Sequence, residues 1–335
     1  MKNYLQLMRR ITTIVNLTVL CLIIVACRKK DVPQVDYSTE MRNFVIEISQ
    51  TAKAIDPEFL IIPQNGVPLA TISRERDGAL AAEYIAAIDG QGQEDLFYGY
   101  DKDDRITPAD ANGHFLYYLD LMEANGIEVL ATDYCSTQEK VLDSYEKNEA
   151  KNYISFAATK RNLTNIPDYT VNVHNENEEE IESLSQAQNF LYLINPTEEF
   201  SDKQTFINAL NETNYDLLIL DRDFNDENYT ALEIESLKWK NNGARRLVVC
   251  YMSIGEAEDY RSYWQKEWEK FKTSPDWLYR ENKKWRGNYK VFYWMESWKN
   301  IIYGNEDSYL NTLLELGYDG TYLDIIDAYE YYEEL

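Results

Sequence analysis

Carboxylates close several apolar runs in this chain, and their placement is the first sign of chemistry. Asp324 is the sharpest case: it sits inside Tyr322-Leu323-Asp324-Ile325-Ile326, where an unpaired carboxylate is costly and needs a reason. Following the other runs outward adds Gln64-Asn65-Gly66, then Glu94-Asp95 beside Phe97 and Tyr98, then Asp133-Tyr134 and Asp221. Ser253 with Gly255-Glu256-Ala257-Glu258-Asp259-Tyr260, then Trp294, then Asp327 complete the set. Acids interleaved with aromatic rings suit a polyol or amino sugar, since carboxylates serve a glycosidic bond and its hydroxyls while rings pack on pyranose faces.

Asp324 and Glu94 are therefore candidate reacting acids, although Asp324 could also be a structural carboxylate and Glu94 an ordinary loop glutamate. Glu256 follows a Ser253-Ile254-Gly255 turn that aims it inward. With Gln64, Asn65, Asp133, Asp221 and Asp327 it is a candidate contact to hydroxyls or a sugar ammonium, while Asp133 and Asp221 could equally be helix N-caps. Tyr251 and Trp294 are candidate ring platforms; Trp264 and Trp268, four apart, suit the buried face of a helix over 260–271.

Composition narrows the partners. The 335 residues carry 33 Lys and Arg against 58 Asp and Glu, a net charge of −25, so a phosphate polymer is repelled and nucleic acid is excluded as a partner. With 44% hydrophobic residues and 27 Tyr among its aromatics, the chain can bury a large core, which excludes wholesale disorder. Two His and no Cys-x-x-Cys pair argue against a Cys/His metal site. A serine-type triad would depend on His114 or His174 alone. Neither a metal nor a cofactor is expected.

The N-terminus has the pattern of a targeting segment. Lys2, Arg9 and Arg10 precede an apolar run from Ile11 to Ala26, which is short for a membrane span. Ile24-Val25-Ala26-Cys27 resembles a bacterial lipobox, implying cleavage before Cys27 and lipidation of its thiol; an uncleaved anchor helix is the alternative. Residues 1–26 are thus expected to be a signal peptide and 27–37 a tether, followed by a single domain over 38–335 exported and lipid-anchored to the bacterial envelope, at the outer membrane or cell surface. Cys135 and Cys250 both end strand-like runs, and a disulfide between them is open.

Positioning the acids requires elements. Met41, Phe44, Val45, Ile48, Ala52 and Ile55 repeat at helical spacing until Asp56-Pro57. Nine strand-like runs follow: Phe59–Pro63, Asp95–Tyr100, Glu128–Tyr134, Tyr153–Ala157, Phe190–Ile194, Asp216–Leu220, Arg246–Met252, Lys290–Trp294 and Gly320–Ile326. Between most of them stand helix starts: Thr107-Pro108, the boxes Ser136-x-x-Glu139, Ser201-x-x-Gln204 and Thr230-x-x-Glu233, and Ser308 ahead of a run stopped by Gly317. This rhythm predicts an α/β fold with a parallel sheet, specifically a (β/α)8 TIM barrel with one peripheral strand; no Gly-x-Gly-x-x-Gly supports the doubly wound alternative. A helix without a preceding strand opens the chain and a strand without a full helix ends it, so the two can complete each other across the termini. That predicts a circularly permuted barrel, with the acidic stretch within 164–188 as the surface linker joining the permuted halves.

Longer strings carry a resemblance. Tyr251-Met-Ser-Ile-Gly-Glu-Ala-Glu-Asp-Tyr-Arg261, Gly317-Tyr-Asp-Gly-Thr-Tyr-Leu-Asp-Ile-Ile-Asp-Ala-Tyr329, Ile62-Pro-Gln-Asn-Gly66 and Asp89-Gly-Gln-Gly-Gln-Glu-Asp-Leu-Phe-Tyr98 resemble the endo-α-1,4-polygalactosaminidase group. The chain is similar over nearly all of 38–335 to the glycoside hydrolase family 114 TIM-barrel domain and its relatives once labelled cysteinyl-tRNA synthetase-like. The blocks occur in permuted order, and no His-Ile-Gly-His or Lys-Met-Ser-Lys-Ser string supports the synthetase label. The resemblance implies one acid at Asp324 and a second at Glu94, with Asp95 one residue from the same match.

The expected function is hydrolysis of an α-linked, amino-sugar polysaccharide, with Asp324 as nucleophile or base and Glu94 as the acid. A surface glycan-binding lipoprotein without turnover is the rival class. An enzyme for phosphorylated sugars would want basic strand ends, and Arg222 and Arg261 are too few.

Overall fold

An amphipathic helix opens the folded part of the chain. In this computed structural model, which describes residues 30–168, 173–270 and 272–335, helix α1 spans Tyr37–Ile55. Asp36 caps it by accepting from the Thr39 N–H at 3.0 Å, and Asp56 ends it in extended backbone. Met41, Phe44, Val45, Ile48 and Ala52 are all fully buried, as the spacing predicts, whereas Ile55, the last residue of the helix, is exposed. The expected signal peptide over 1–26 and the expected lipidation site Cys27 lie outside the described residues, and Asp36–Leu335 forms one compact unit.

The elements then follow as β1 Leu60–Pro63, α2 Ala82–Ile85, β2 Gly90–Glu94, α3 Ala109–Glu123, β3 Glu128–Tyr134, α4 Gln138–Glu149, β4 Ile154–Ala158 and β5 Phe190–Leu193. After them come α5 Lys203–Asn211, β6 Leu217–Leu220, the short pair β7 Asp223–Phe224 and β8 Glu227–Asn228, α6 Ala231–Leu237 and β9 Leu247–Ser253. The last are β10 Glu256–Glu258, β11 Leu278–Glu281, β12 Asn288–Val291, α7 Glu296–Ile302, α8 Tyr309–Leu316, β13 Gly320–Asp324 and α9 Ala328–Glu333. The molecule is α/β with parallel sheets. One has the order β1-β13-β9-β6-β5 and a second the order β2-β3-β4.

The two sheets meet at β1 and β2 through a parallel bridge between Gln64 and Gly92, where the Asp89 N–H donates to Ile61 O and the Asn65 N–H to Gly92 O, both at 2.9 Å. At the other seam Phe156 of β4 and Phe190 of β5 pack with ring centroids 5.7 Å apart. The N-terminal helix α1 packs against a C-terminal helix, α9, that the sequence rhythm does not predict.

Several expectations change. Asp95–Tyr100 is not a strand; the strand is the preceding Gly90–Glu94. Its Gly-Gln-Gly-Gln-Glu sequence lacks an apolar pattern because Tyr322 crosses it so closely that a Cβ on Gly92 would lie 1.9 Å from the Tyr322 hydroxyl. The strand expected at Lys290–Trp294 is β12, at Asn288–Val291, and it is peripheral: it pairs antiparallel with β10 and β11 in a three-stranded flap. No helix forms over 260–270, only a 3-10 turn at Lys266–Glu269. Trp264 and Trp268 instead pack edge to face at 5.4 Å, Trp268 meets Trp277 at 5.1 Å and Trp264 meets Tyr289 at 4.8 Å, so ring packing overrides the helical spacing.

Thr230 and Ser308 cap their helices through side-chain oxygens, Thr230 in a full capping box. Elsewhere the cap moves on by one residue, to Pro108, Thr137 and Asp202. The described residues of the 164–188 stretch are mostly exposed but pinned. Lys240 Nζ donates to Asn177 Oδ1 at 3.1 Å and to Glu179 O at 2.8 Å while pairing with fully buried Asp216 at 2.6 Å. Cys135 and Cys250 are buried free thiols, so the open disulfide is not formed.

Candidate active site

Three adjacent strands end in the same way. Just beyond Pro63 of β1, Glu94 of β2 and Asp324 of β13, the backbone turns through left-handed residues: Asn65 at φ 62°, Asp95 at φ 58° and Ile325 at φ 60°. A β-branched residue in that region is strained, and such strain persists where the surroundings over-determine it. At Ile325 the kink lets the residue's own N–H donate to Asp324 Oδ1 at 2.7 Å. At Asn65 it brings the side chain onto Glu94: Oδ1 accepts from the Glu94 N–H at 3.1 Å and Nδ2 donates to Glu94 Oε2 at 3.2 Å.

These ends open into a cavity of about 470 Å³, within the range of small-molecule sites. Its wall brings together Asp324, Glu94, Gln64, Asn65, Asp221, Tyr251, Glu256 and Asp327, from segments as far apart in sequence as 64 and 327. Asp95 is not in the wall: it turns away to Arg161, whose Nη2 donates to its Oδ1 at 2.8 Å, so the residue facing the cavity is Glu94.

Two candidates lie elsewhere. Asp133 is fully buried and is neither an N-cap nor a cavity residue. It accepts from the Phe97 and Tyr98 N–H groups at 2.7 and 3.0 Å and from Ser144 Oγ at 2.6 Å, tying the turn after Glu94 to α4. Trp294 is no platform: its ring packs 5.2 Å from Tyr37, 5.2 Å from Phe292 and 5.1 Å from Tyr332, a cluster joining α1 to α9. Tyr251 is in the wall, but its hydroxyl is engaged, donating to Asp324 Oδ2 at 2.7 Å, so it holds an acid more than it offers a face.

Residues that sequence reading missed complete the site. Tyr134 donates to Glu94 Oε1, so each acid accepts from a tyrosine on the next strand, β3 beside β2 and β9 beside β13. Arg161 lies 3.9 Å from the Tyr134 ring centroid. Tyr192 donates to Gln64 Oε1 at 3.0 Å across the interior and meets Tyr322 edge to face at 5.2 Å. Tyr134 and Tyr192 were legible only as aromatics in apolar runs, a pattern that core packing produces equally well.

The wall is strongly acidic. Glu94, Glu198, Asp221, Glu256, Glu258, Asp324 and Asp327 line it, against one base, Arg161, which already holds Asp95 and Asp103. Below Asp221 and Glu258 the buried Arg261 supplies counter-charge, its Nη2 at 2.8 Å from Asp221 Oδ2 and its Nε at 2.5 Å from Glu258 Oε2. Burial, and next the charge of Glu94, push Asp324 up to about 8, against the pull of the Tyr251 hydrogen bond. Burial, then Glu330 and Glu94, push Asp327 up to about 6. Asp324 therefore holds a proton at neutral pH in the free site. Among the described residues no group of three or more His, Cys, Asp or Glu side chains is arranged to hold a metal ion.

Residues 183–335 match the model of glycoside-hydrolase family GH114, a TIM-barrel-type family acting on O-glycosyl bonds. That part carries Asp324, Tyr251 and Glu256; Glu94 lies outside it. The chain is also similar to an uncharacterized protein of Methanocaldococcus jannaschii, 41% identical over 131 residues covering 38% of this chain and 35% of that protein. An uncharacterized protein of Thermotoga maritima is 44% identical over 86 residues, 26% of this chain and 25% of its own length. One of Deinococcus radiodurans is 36% identical over 129 residues, 38% of each chain. The chain thus spans between a quarter and two fifths of the length of these relatives.

Proposed function

We propose that this protein is an exported glycoside hydrolase that cuts an α-linked amino-sugar polysaccharide, with Asp324 and Glu94 as its reacting pair. The observation that carries the reading is two carboxylates in one cavity, each steadied by a tyrosine of the neighbouring strand. Glycosidic hydrolysis needs one carboxyl that gives a proton to the departing oxygen and one carboxylate that serves the anomeric carbon, directly or through water. Asp324, kept neutral by burial, is the group with a proton to give. Glu94, which accepts from Tyr134 and Asn65, is the carboxylate. This exchanges the roles expected from the sequence, where Asp324 is the nucleophile or base and Glu94 the acid.

As the bond between the anomeric carbon and the bridging oxygen breaks, the Asp324 proton passes to that oxygen. Water supplies the new oxygen on the anomeric carbon, and its released proton restores the pair. No cofactor enters this balance. A wall of seven acids and one occupied guanidinium, with Arg261 behind Asp221 and Glu258 and Lys290 behind Glu256, favours a cationic, free-amine sugar over an acidic or phosphorylated one. In the same reading the eight parallel strands close as a permuted barrel whose termini meet at α1 and α9, and Cys27, once lipidated, anchors the chain to the envelope.

The test is reducing-end release by the full chain from a panel of α- and β-linked glycans, including partly acetylated α-1,4-galactosamine polymer. Release that Asp324→Asn and Glu94→Gln each abolish supports the reading. Binding without release, retained by both variants, would replace it with a glycan-binding lipoprotein.

A further inference from the structure

The flap of β10, β11 and β12 supplies a part of the cavity wall that the acid pair does not use. Trp285 sits in the connection between β11 and β12, lines the cavity, and is 58% exposed. The neighbouring tryptophans behave differently: Trp264, Trp268 and Trp277 pack on one another, and Trp298 of α7 packs on Trp277 and donates to Ile254 O at 2.8 Å. Trp285 packs on no aromatic ring among the described residues. Tyr260, 51% exposed and also in the wall, has its hydroxyl tied to Glu258 Oε1 at 2.7 Å. Trp285 thus turns a ring toward the cavity that no other ring among the described residues covers, and Tyr260, with Arg261 5.0 Å from its ring centroid, turns a second, which are faces on which a pyranose can pack.

Glu256 lines the same cavity and is 1% exposed. Its Oε1 accepts from Lys290 Nζ at 3.0 Å and Asn282 Nδ2 at 2.9 Å, both carried by the flap, while its Oε2 is buried with no partner. A buried carboxylate oxygen without a donor is expensive, and a donor brought by a ligand removes the cost. An apolar ring face and an orphaned anionic acceptor in one wall match a pyranose bearing an ammonium group.

We propose that Trp285, Tyr260 and Glu256 form a second sugar subsite, outside the Asp324 and Glu94 pair, that takes a free-amine sugar unit of a longer chain. The inference rests on reading the cavity as a glycosidase site and specifies what that site selects. Because the subsite stands on the flap and the acids on the strand ends, a chain of more than one sugar unit is needed to occupy both. It therefore sets a length requirement and a preference for unacetylated amine.

The test uses the full chain carrying Asp324→Asn, so that binding is read without turnover, and α-1,4-linked galactosamine oligomers of increasing length, free-amine or N-acetylated. Calorimetry should show affinity rising with length to a plateau. Trp285→Ala should weaken only the long oligomers, by about five- to tenfold, and Tyr260→Ala should do the same more weakly. Glu256→Gln should erase the preference for free amine while leaving the acetylated series unchanged. Equal weakening at every length, no weakening, an unchanged amine preference, or no binding at all would overturn the subsite. If the expected binding pattern appears while the wild-type chain releases no reducing ends, the subsite stands and the hydrolase reading falls. If the wild-type chain cleaves these oligomers but the pattern is missing, the subsite alone falls.

Discussion

Tyr251 donates its phenolic hydrogen to Asp324 Oδ2 at 2.7 Å, joining the third-last residue of β9 to the last residue of β13. The two strands are parallel neighbours, and their register sets Tyr322 beside Tyr251 and Asp324 beside Ser253, so the hydroxyl reaches diagonally toward the strand ends. A hydrogen bond to the charged form opposes burial, which raises the pKa of the same carboxyl. Asp324 is thus held between two opposing effects, and its proton is the variable that experiments can move.

Removing either acid should remove turnover. Asp324→Asn and Glu94→Gln should each lower kcat/KM by at least about 10³-fold, with circular dichroism unchanged. Asp324→Asn should also melt higher than the wild type at neutral pH, because it deletes a carboxyl that the fold disfavours in its charged form.

The pH dependence follows from the raised value. A carboxyl at about 8 in the fold and near 3.8 unfolded is neutral in the native state where the unfolded chain is already ionised. Its contribution to stability is therefore full below the unfolded value and is lost as pH rises toward 8, and melting curves of Asp324→Asn should lack that slope. If neutral Asp324 gives the proton, kcat/KM should fall above about 8. Tyr251→Phe removes a donor that favours the carboxylate, so it should move that limb to higher pH and lower kcat about tenfold.

Asp133 and Trp294 should behave as structural residues. Asp133→Ala leaves the Phe97 and Tyr98 N–H groups, Ser144 and Asn148 without their acceptor, which should cost about 3 kcal/mol in denaturant melts. Trp294→Ala opens the cluster with Tyr37 and Tyr332 and should cost about 2–4 kcal/mol. In both, KM of the remaining folded protein should stay near wild type. A large rise in KM for Trp294→Ala would return it to the sugar site.

Lys240→Met leaves Asp216 buried without its cation and frees Asn177 and Glu179. It should cost about 3–5 kcal/mol and make the peptide near 175–182 the first site of limited proteolysis, read by mass spectrometry.

Cys27→Ser should abolish metabolic labelling by palmitate in a bacterial host and release the protein from the membrane fraction. A protein that stays membrane-bound and unlabelled in both forms would point to an uncleaved anchor.

Local signals were legible in the sequence because their causes lie a few residues apart. The buried spacing of Met41, Phe44, Val45, Ile48 and Ala52 in α1, the capping oxygens of Thr230 and Ser308, and the alternation of apolar runs with helices each depend on neighbours within one or two turns. Asp324 was legible for the same reason, since a carboxylate inside an apolar run is conspicuous without any partner. Tertiary structure decided whatever depends on residues far apart in the chain. Gly90–Glu94 is a strand because it pairs with Glu128–Thr132 of β3, and it lacks an apolar pattern because Tyr322 occupies the space a side chain on Gly92 would need. Glu94 rather than Asp95 enters the cavity because Asp95, in left-handed backbone, turns to Arg161. Asp133 and Glu94, both acids at the ends of adjacent parallel strands, part company because one meets four donors in a buried turn and the other meets the cavity. Spacing records which residues can share an element, but desolvation and hydrogen bonding across strands assign each carboxylate its surroundings, and those are set only when distant segments pack.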